Sequence, residues 1–336
     1  MFHHFYTLIF DTVSFKKFLL KLGVSALGIL GIILSINVFC DPYWLFRDES
    51  PYRSAQLALT NKHRFVKSLQ LVLRQPKILM VGSSRVYKGF DGSIFIDEED
   101  DKFYNLGVSS LTLTEARGFI KQAINFTCVK HIILGLDLWM LDRNKLFHEG
   151  FNTQLGETQE LCNAFFIALF SLDTLRDSWR EFKAEKSALG KWKKNGFYAS
   201  PSLTKKEIDS FIESYEKNLQ TMQIDLVQLS ILEDIITLCK NKEVRLSLYM
   251  SPLHKKTYEV YQKLGLDHTL TLLVNRISSL AKSRNIAFHD FSESFLSTSS
   301  FLLNSSDKWI DYSHFSPVIG NFILQKILED IPKGVK

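Results

Sequence analysis

The chain lacks the spacings that metal sites and disulfide frameworks use. Cys40, Cys128, Cys162 and Cys239 are its only cysteines among 336 residues, and no two form a C-x-x-C pair. Zinc-type ligand spacing is therefore absent. One or two disulfides would fit the count, but Cys40 sits at the edge of an apolar segment and all four can equally be free. Neither H-x-H nor H-E-x-x-H occurs, so His314, Asp311 and His254 do not read as metal ligands, and no cofactor is expected. A strong basic excess is missing too. The net charge is +5, with no stripe of basic and aromatic residues, which excludes the usual nucleic-acid binder. Internal repeats and low-complexity tracts are absent. A composition 46% hydrophobic, with 27 Phe, supplies a sizeable core and excludes global disorder.

Long apolar runs are also scarce, and the single one is informative. From Leu22 to Cys40 there is no charged residue, and about 20 such residues cross a bilayer as a helix. Lys16, Lys17 and Lys21 precede it, while Asp41, Asp48 and Glu49 follow. That lysine bias predicts a cytoplasmic amino terminus. A cleaved secretion signal would have a shorter apolar core and an A-x-A-like site, which Ile36–Cys40 does not offer. Nor do Val38 and Phe39 give the small residues that a lipidated cysteine wants before it. The expected layout is a short cytoplasmic terminus (1–16), an uncleaved single-pass anchor (17–40), a stalk and lead-in (41–76), and an extracytoplasmic domain (77–332).

The domain reads as α/β. Five apolar runs bounded by turn residues predict strands near 77–82, 102–106, 131–137, 244–250 and 286–290. Helical stretches fall between them: 61–73, 112–126, 257–283, and a last one from Ser316-Pro317 to about Ile331. Alternation of this kind predicts a parallel sheet with crossover helices. A helical insertion spans about 140–240, with helices expected over 159–170, 172–186 and, with a break, 205–239, and a loop over 190–202. It either caps the active edge or thickens one side of the domain.

The chain is organised around Lys77–Arg85, KILMVGSSR. A strand ending in Gly-Ser-Ser places a serine at the carboxyl edge of a sheet, where α/β folds bind ligands. The following helix turns its amino terminus toward that serine, which favours developing negative charge. Near the other end of the chain stands Asp311-Tyr312-Ser313-His314. A serine hydroxyl needs a base, histidine titrates near neutrality, and a carboxylate on its second ring nitrogen fixes the tautomer.

Together these motifs resemble the SGNH (GDSL-type) hydrolase superfamily over about residues 75–330. Gly82-Ser83-Ser84 resembles its first block, with Ser83 in place of the usual Asp. Tyr104-Asn105-Leu106-Gly107 resembles the second, Gly135-Leu136-Asp137 stands where the third is expected, and Asp311-Tyr312-Ser313-His314 resembles the fifth. The resemblance implies a three-layer α/β/α fold on a central parallel sheet of about five strands, SGNH- or flavodoxin-like, behind one transmembrane helix. It implies Ser84 as nucleophile, His314 as base and Asp311 as its orienting carboxylate. The amides of Ser84 and Gly107 would form the oxyanion hole. Asp137 replaces the asparagine of the third block, and an ionised carboxylate only accepts hydrogen bonds, so it is a poor oxyanion donor. Arg85, Asn105 and His254 are expected to line the substrate site.

The single anchor and the Asp41-Pro42-Tyr43 start also resemble accessory proteins of envelope-polymer acylation, of the alginate O-acetylation and teichoic acid D-alanylation type. That likeness implies a serine esterase or O-acyltransferase taking an acyl donor and an envelope glycan, beside a multi-spanning membrane acyltransferase. The competing expectation is an inactive SGNH-like module that binds glycan or scaffolds such a partner, and Asp137 is its main support.

Overall fold

The computed structural model describes residues 12–47, 61–95, 103–148, 151–183, 191–293 and 308–330. In chain order its helices and strands are α1 (Thr12–Cys40), α2 (His63–Arg74), β1 (Ile78–Gly82), α3 (Ser84–Gly89), β2 (Phe103–Gly107), α4 (Leu113–Phe126), β3 (His131–Leu136), α5 (Thr158–Phe170) and α6 (Leu172–Lys183). They continue with β4 (Lys191–Trp192), β5 (Tyr198–Ala199), α7 (Lys205–Gln220), α8 (Leu229–Asn241), β6 (Arg245–Met250), α9 (Lys255–Lys263), α10 (Leu266–Arg284), β7 (Ala287–Asp290) and α11 (Pro317–Glu329).

The five expected strands form one wholly parallel sheet in the order β2-β1-β3-β6-β7. Their side chains alternate between two cores, as strand geometry requires. Leu79, Val81, Ile132, Leu134, Leu246 and Leu248 face a layer built on α4, α8 and α10. Met80, Ile133 and Tyr249 face the opposite layer, where Ile319, Ile323 and Ile327 of α11 pack. The three-layer α/β/α expectation is met. The chain leaves β1 for β2 on one side and crosses to β3 on the other. The crevice at the carboxyl ends of β1, β2 and β3 is therefore the topological switch point.

Several local expectations need correction. The helix expected over 257–283 is two helices, because Gly265 takes φ +69 between α9 and α10. The loop expected over 190–202 carries the antiparallel ribbon β4–β5. Its turn residue Gly196 has φ +82, and a Cβ there would collide with the Asn105 carbonyl, so the ribbon docks on the edge of β2. The part of the expected stalk that is described is not a tether. Tyr43, Trp44 and Leu45 are buried. The Asp41 carboxylate takes the amides of Leu45 (2.7 Å), Phe46 (2.9 Å) and Arg47 (3.2 Å), and Gln70 of α2 donates to the Tyr43 carbonyl. The helix expected to be the anchor, Phe15–Cys40, has a mean hydropathy of 2.2 and is long and apolar enough to cross a membrane.

The approach of α3 to α11 sets the geometry of the site. A Cβ on Gly320 would strike the Gly89 carbonyl, and one on Gly89 would strike the Phe315 ring. Gly320→Ala is expected to cost about 1–3 kcal/mol through overpacking and to lower the melting temperature of the purified chain. A variant as stable as wild type would show that the two helices are not held this closely.

Candidate active site

Strand β1 ends at Gly82, where a Cβ would meet the Val86 side chain of the next turn. The chain can therefore reverse at once into α3. Ser83 caps that helix by accepting the Arg85 amide (3.2 Å) and is itself buried. Ser84 takes the first helical position at the rim. The sequence had pointed to a helix dipole here, but α3 has only six residues, and geometry rather than dipole defines this site.

The chain's other end meets Ser84 directly. His314 Nε2 lies 2.8 Å from Ser84 Oγ, and His314 Nδ1 lies 2.7 Å from Asp311 Oδ2. Asp311 Oδ1 accepts the amides of Ser313 (2.7 Å) and His314 (2.8 Å), so the D-x-x-H turn is wound around the carboxylate. Burial alone would raise the Asp311 carboxyl. Its hydrogen bond to His314, the His314 and Lys88 charges and the Ser313 amide outweigh that and hold it down at about 2. Burial, with the nearby Lys88 charge, pushes His314 below the ordinary histidine value of 6.5, against the pull of Asp311. His314 is thus a neutral acceptor at pH 7, the state a base needs. A base whose pKa is depressed stays competent across neutrality. The kcat/KM of ester hydrolysis should be flat there and fall only in acid, below the ordinary histidine range. A profile that fell on the alkaline side of 6.5 would contradict this.

Ser84 and His314 open into a cavity of about 370 Å³, lined also by Tyr87, Ser110, Trp139 and Tyr215. Insertion helix α7 contributes Phe211, Tyr215, Asn218 and Leu219 to its wall. The Phe211 ring centroid is 5.8 Å from that of His314, and the Tyr312 hydroxyl donates to Asp209 of the same helix. The insertion therefore caps the edge instead of only thickening the domain.

Five other expected site residues are committed elsewhere. Arg85 does not line the cavity. Its guanidinium is buried, donates to Asp137 Oδ1 (2.7 Å) and to the Ser313 carbonyl (2.9 Å), and lies 4.5 Å from the Trp139 ring centroid. Burial works against its charge, but the Asp137 carboxylate outweighs it and raises the pKa. Asp137 accordingly faces Arg85 and is no oxyanion donor. Asn105 is buried, with its amide on the carbonyls of Val86 and Phe90. Its Oδ1 accepts the Gly107 amide at 2.9 Å, so that amide is not presented to an oxyanion. Gly107 is required for another reason: a Cβ there would strike the Tyr87 amide nitrogen. His254 caps α9 by accepting the Lys256 amide and packs against Trp309 and Tyr312, away from the cavity wall.

The residues that sequence reasoning missed shape the loop after β2. Ser110 lines the cavity with φ +51, and among the described residues no acceptor takes its amide or that of Ser84. Its neighbour Ser109 is pinned on both sides. The Ser109 amide donates to His63 Nε2 (3.1 Å), and its carbonyl accepts from Arg64 Nη2 (2.6 Å). Arg64 is paired with buried Glu115 at 3.0 Å. Burial would raise that carboxyl, but His148 and Arg64 hold it down at about 2. Buried Lys67 draws together the carbonyls of Asn105, Gly107 and Gly196, and desolvation drives its pKa down. One signal was readable: Thr112-x-x-Glu115 is a capping box, and it forms at the start of α4.

No protein-family model matches the chain, and no curated protein matches it. Solved structures do. A GDSL-like lipase from Bacteroides thetaiotaomicron is 11% identical, covering 81% of this chain and all of its own, with a TM-score of 0.40. A chain described as an acylhydrolase from Bacteroides fragilis is 12% identical, covering 77% of this chain and 93% of its own, with a TM-score of 0.38. Likeness at this level adds nothing to the strand order and side-chain geometry above.

Proposed function

We propose that the protein is a membrane-anchored serine esterase or O-acyltransferase of the SGNH type, acting on an envelope glycan through an acyl-serine. The observation that carries this reading is the unbroken hydrogen-bond chain Ser84–His314–Asp311 at the mouth of a capped cavity. His314 Nε2 takes the Ser84 proton as Oγ adds to an ester or thioester carbonyl. The oxyanion is held by the amides of Ser84 and Ser110, two backbone donors at the cavity that no acceptor among the described residues takes. The leaving group departs with the proton from His314, and an acyl-serine remains. Water or a sugar hydroxyl then gives its proton to His314 and takes the acyl group, restoring Ser84. The apolar helix α1 is read as the anchor, with its lysine-rich start in the cytoplasm and the folded domain outside. Beside a multi-spanning membrane acyltransferase, the enzyme would relay acyl groups from that partner to the glycan.

The inactive-scaffold reading loses its main support, because Asp137 has a structural partner in Arg85. Labelling of the membrane fraction with a fluorophosphonate tests the proposal. Wild-type protein is expected to label, and both Ser84→Ala and His314→Ala to abolish labelling. A folded wild-type protein that stays unlabelled would return the scaffold to first place.

A further inference from the structure

Helix α6 is inside out. Its polar residues Thr174, Asp177, Ser178 and Glu181 are buried, whereas Leu172, Trp179 and Phe182 are 70%, 57% and 62% exposed. A helix on a water-facing surface does the reverse. Helix α5, joined to it through Ser171, buries only Ala168 and exposes Phe166 and Ile167. The inward polar side of α6 is fully engaged. Asp177 takes the Tyr43 hydroxyl (2.8 Å) and the Lys62 ammonium (2.7 Å), and the Thr174 hydroxyl donates to the Ile167 carbonyl. The polarity of its inner side therefore has a structural cause. Its outer face sets Leu172, Trp179 and Phe182 beside the exposed charges of Asp173, Arg176 and Arg180, the mixture of a helix lying at a lipid interface, with apolar residues below the headgroups and charges among them.

The depth of the hairpin supports that reading, provided α1 is the membrane anchor proposed above. From Leu22 to Cys40 the helix rises about 28 Å at 1.5 Å per residue. The hydrocarbon core is about 30 Å thick, so a span centred on this charge-free run keeps its last turns within or at the edge of the far leaflet. Yet Ile33, Asn37 and Cys40, on one face of its last turns, are buried, and that end of the helix packs on α5 and α6. The hairpin thus lies beside the anchor at the depth of one leaflet. Asn37 fits that position. A polar side chain within the span needs protein partners, and Asn37 donates to the Leu169 carbonyl (2.9 Å) and accepts from the Ser178 hydroxyl (3.1 Å). Lys183 Nζ lies 4.6 Å from the Trp179 ring centroid, the pairing of cation and aromatic that suits a headgroup boundary.

We propose that the α5–α6 hairpin is seated in the bilayer leaflet on the folded domain's side, with lipid covering Phe166, Leu172, Trp179 and Phe182. The seat also fixes the site. Ala168 of α5 packs in one cluster with Tyr43, Val66 and Trp192, and Tyr87, which lines the Ser84 cavity, lies at its edge. The cavity is held at a set height above the membrane surface and does not swing on a tether.

The test uses the full chain in phosphatidylcholine–phosphatidylglycerol vesicles. Cys128→Ser and Cys162→Ser remove the exposed thiols and leave Cys40 and Cys239, which are buried. Single substitutions Gly28→Cys, Leu172→Cys, Trp179→Cys, Phe182→Cys and Lys282→Cys then carry a nitrobenzoxadiazole probe, with acyl-chain nitroxide lipid as quencher. Probes at 28, 172, 179 and 182 are expected to emit to the blue and to lose most of their emission to the quencher. The probe at 282 is expected to stay water-like and unquenched. Quenching at 28 with water-like emission at 172, 179 and 182 overturns the proposal, leaves the anchor standing and assigns the face to a protein partner. Water-like emission at 28 as well overturns the anchor and the hairpin seat together.

Discussion

Ser84→Ala is expected to lower ester hydrolysis by roughly four to six powers of ten, the range seen when a serine nucleophile is removed from a working triad. The size follows from the geometry. Without Oγ no acyl-enzyme forms, and His314 has no proton to take at 2.8 Å. His314→Ala should cost about as much, and the double variant little more, because the two groups act as one unit. Asp311→Asn is the more diagnostic change. It removes the charge that receives Nδ1–H at 2.7 Å, which frees the ring to adopt the wrong tautomer, and a loss of about 10⁴ is expected. The readouts are release of p-nitrophenol from a short acyl ester and fluorophosphonate labelling, both on protein shown to be folded. Hydrolysis that survives Ser84→Ala at the wild-type rate would mean that any activity comes from elsewhere in the molecule.

The strands and the two ends of the triad were legible in the sequence because short-range patterns specify them. Five apolar runs between turn residues name the strands, and Gly82-Ser83-Ser84 and Asp311–His314 each lie on a single tight turn. What the sequence did not reveal depends on contacts between distant segments. Arg85 was expected to line the substrate site, yet its partner Asp137 is 52 positions away and the pair is buried. Asn105 and Gly107 resembled a motif at the active edge, but their polar atoms bond to one another and to Lys67, whose burial no local pattern announces. The turn that breaks α9 from α10 needed only one glycine with positive φ, which a helical periodicity reads through. A helix was expected over 172–186, but which of its faces turns inward was not, because apolar residues at helical spacing look the same whether they meet the core or a lipid.

Asp137→Asn is expected to destabilise the protein by about 3–5 kcal/mol, the usual cost of leaving a buried charge without its partner. On the pattern of the superfamily that the sequence resembles, asparagine at this position should improve the oxyanion hole and raise activity. The geometry argues for the opposite. Asp137 Oδ1 is 2.7 Å from Arg85 Nη1, and both side chains are 1% exposed. Removing the carboxylate charge leaves a guanidinium in a medium that penalises it. Arg85 also tethers the Ser313 carbonyl at 2.9 Å, one residue before His314. Its displacement would loosen the base as well as the core, so activity should fall together with stability. The double variant Arg85→Met/Asp137→Leu separates the two effects. Replacing a buried ion pair by apolar residues of similar volume is often neutral or stabilising, so its melting temperature should return toward wild type. Its activity should not, because the tether to the His314 loop is gone. Melting temperature and turnover measured on the same preparations decide the matter. An Asp137→Asn protein as stable as wild type and more active would place residue 137 at the oxyanion after all.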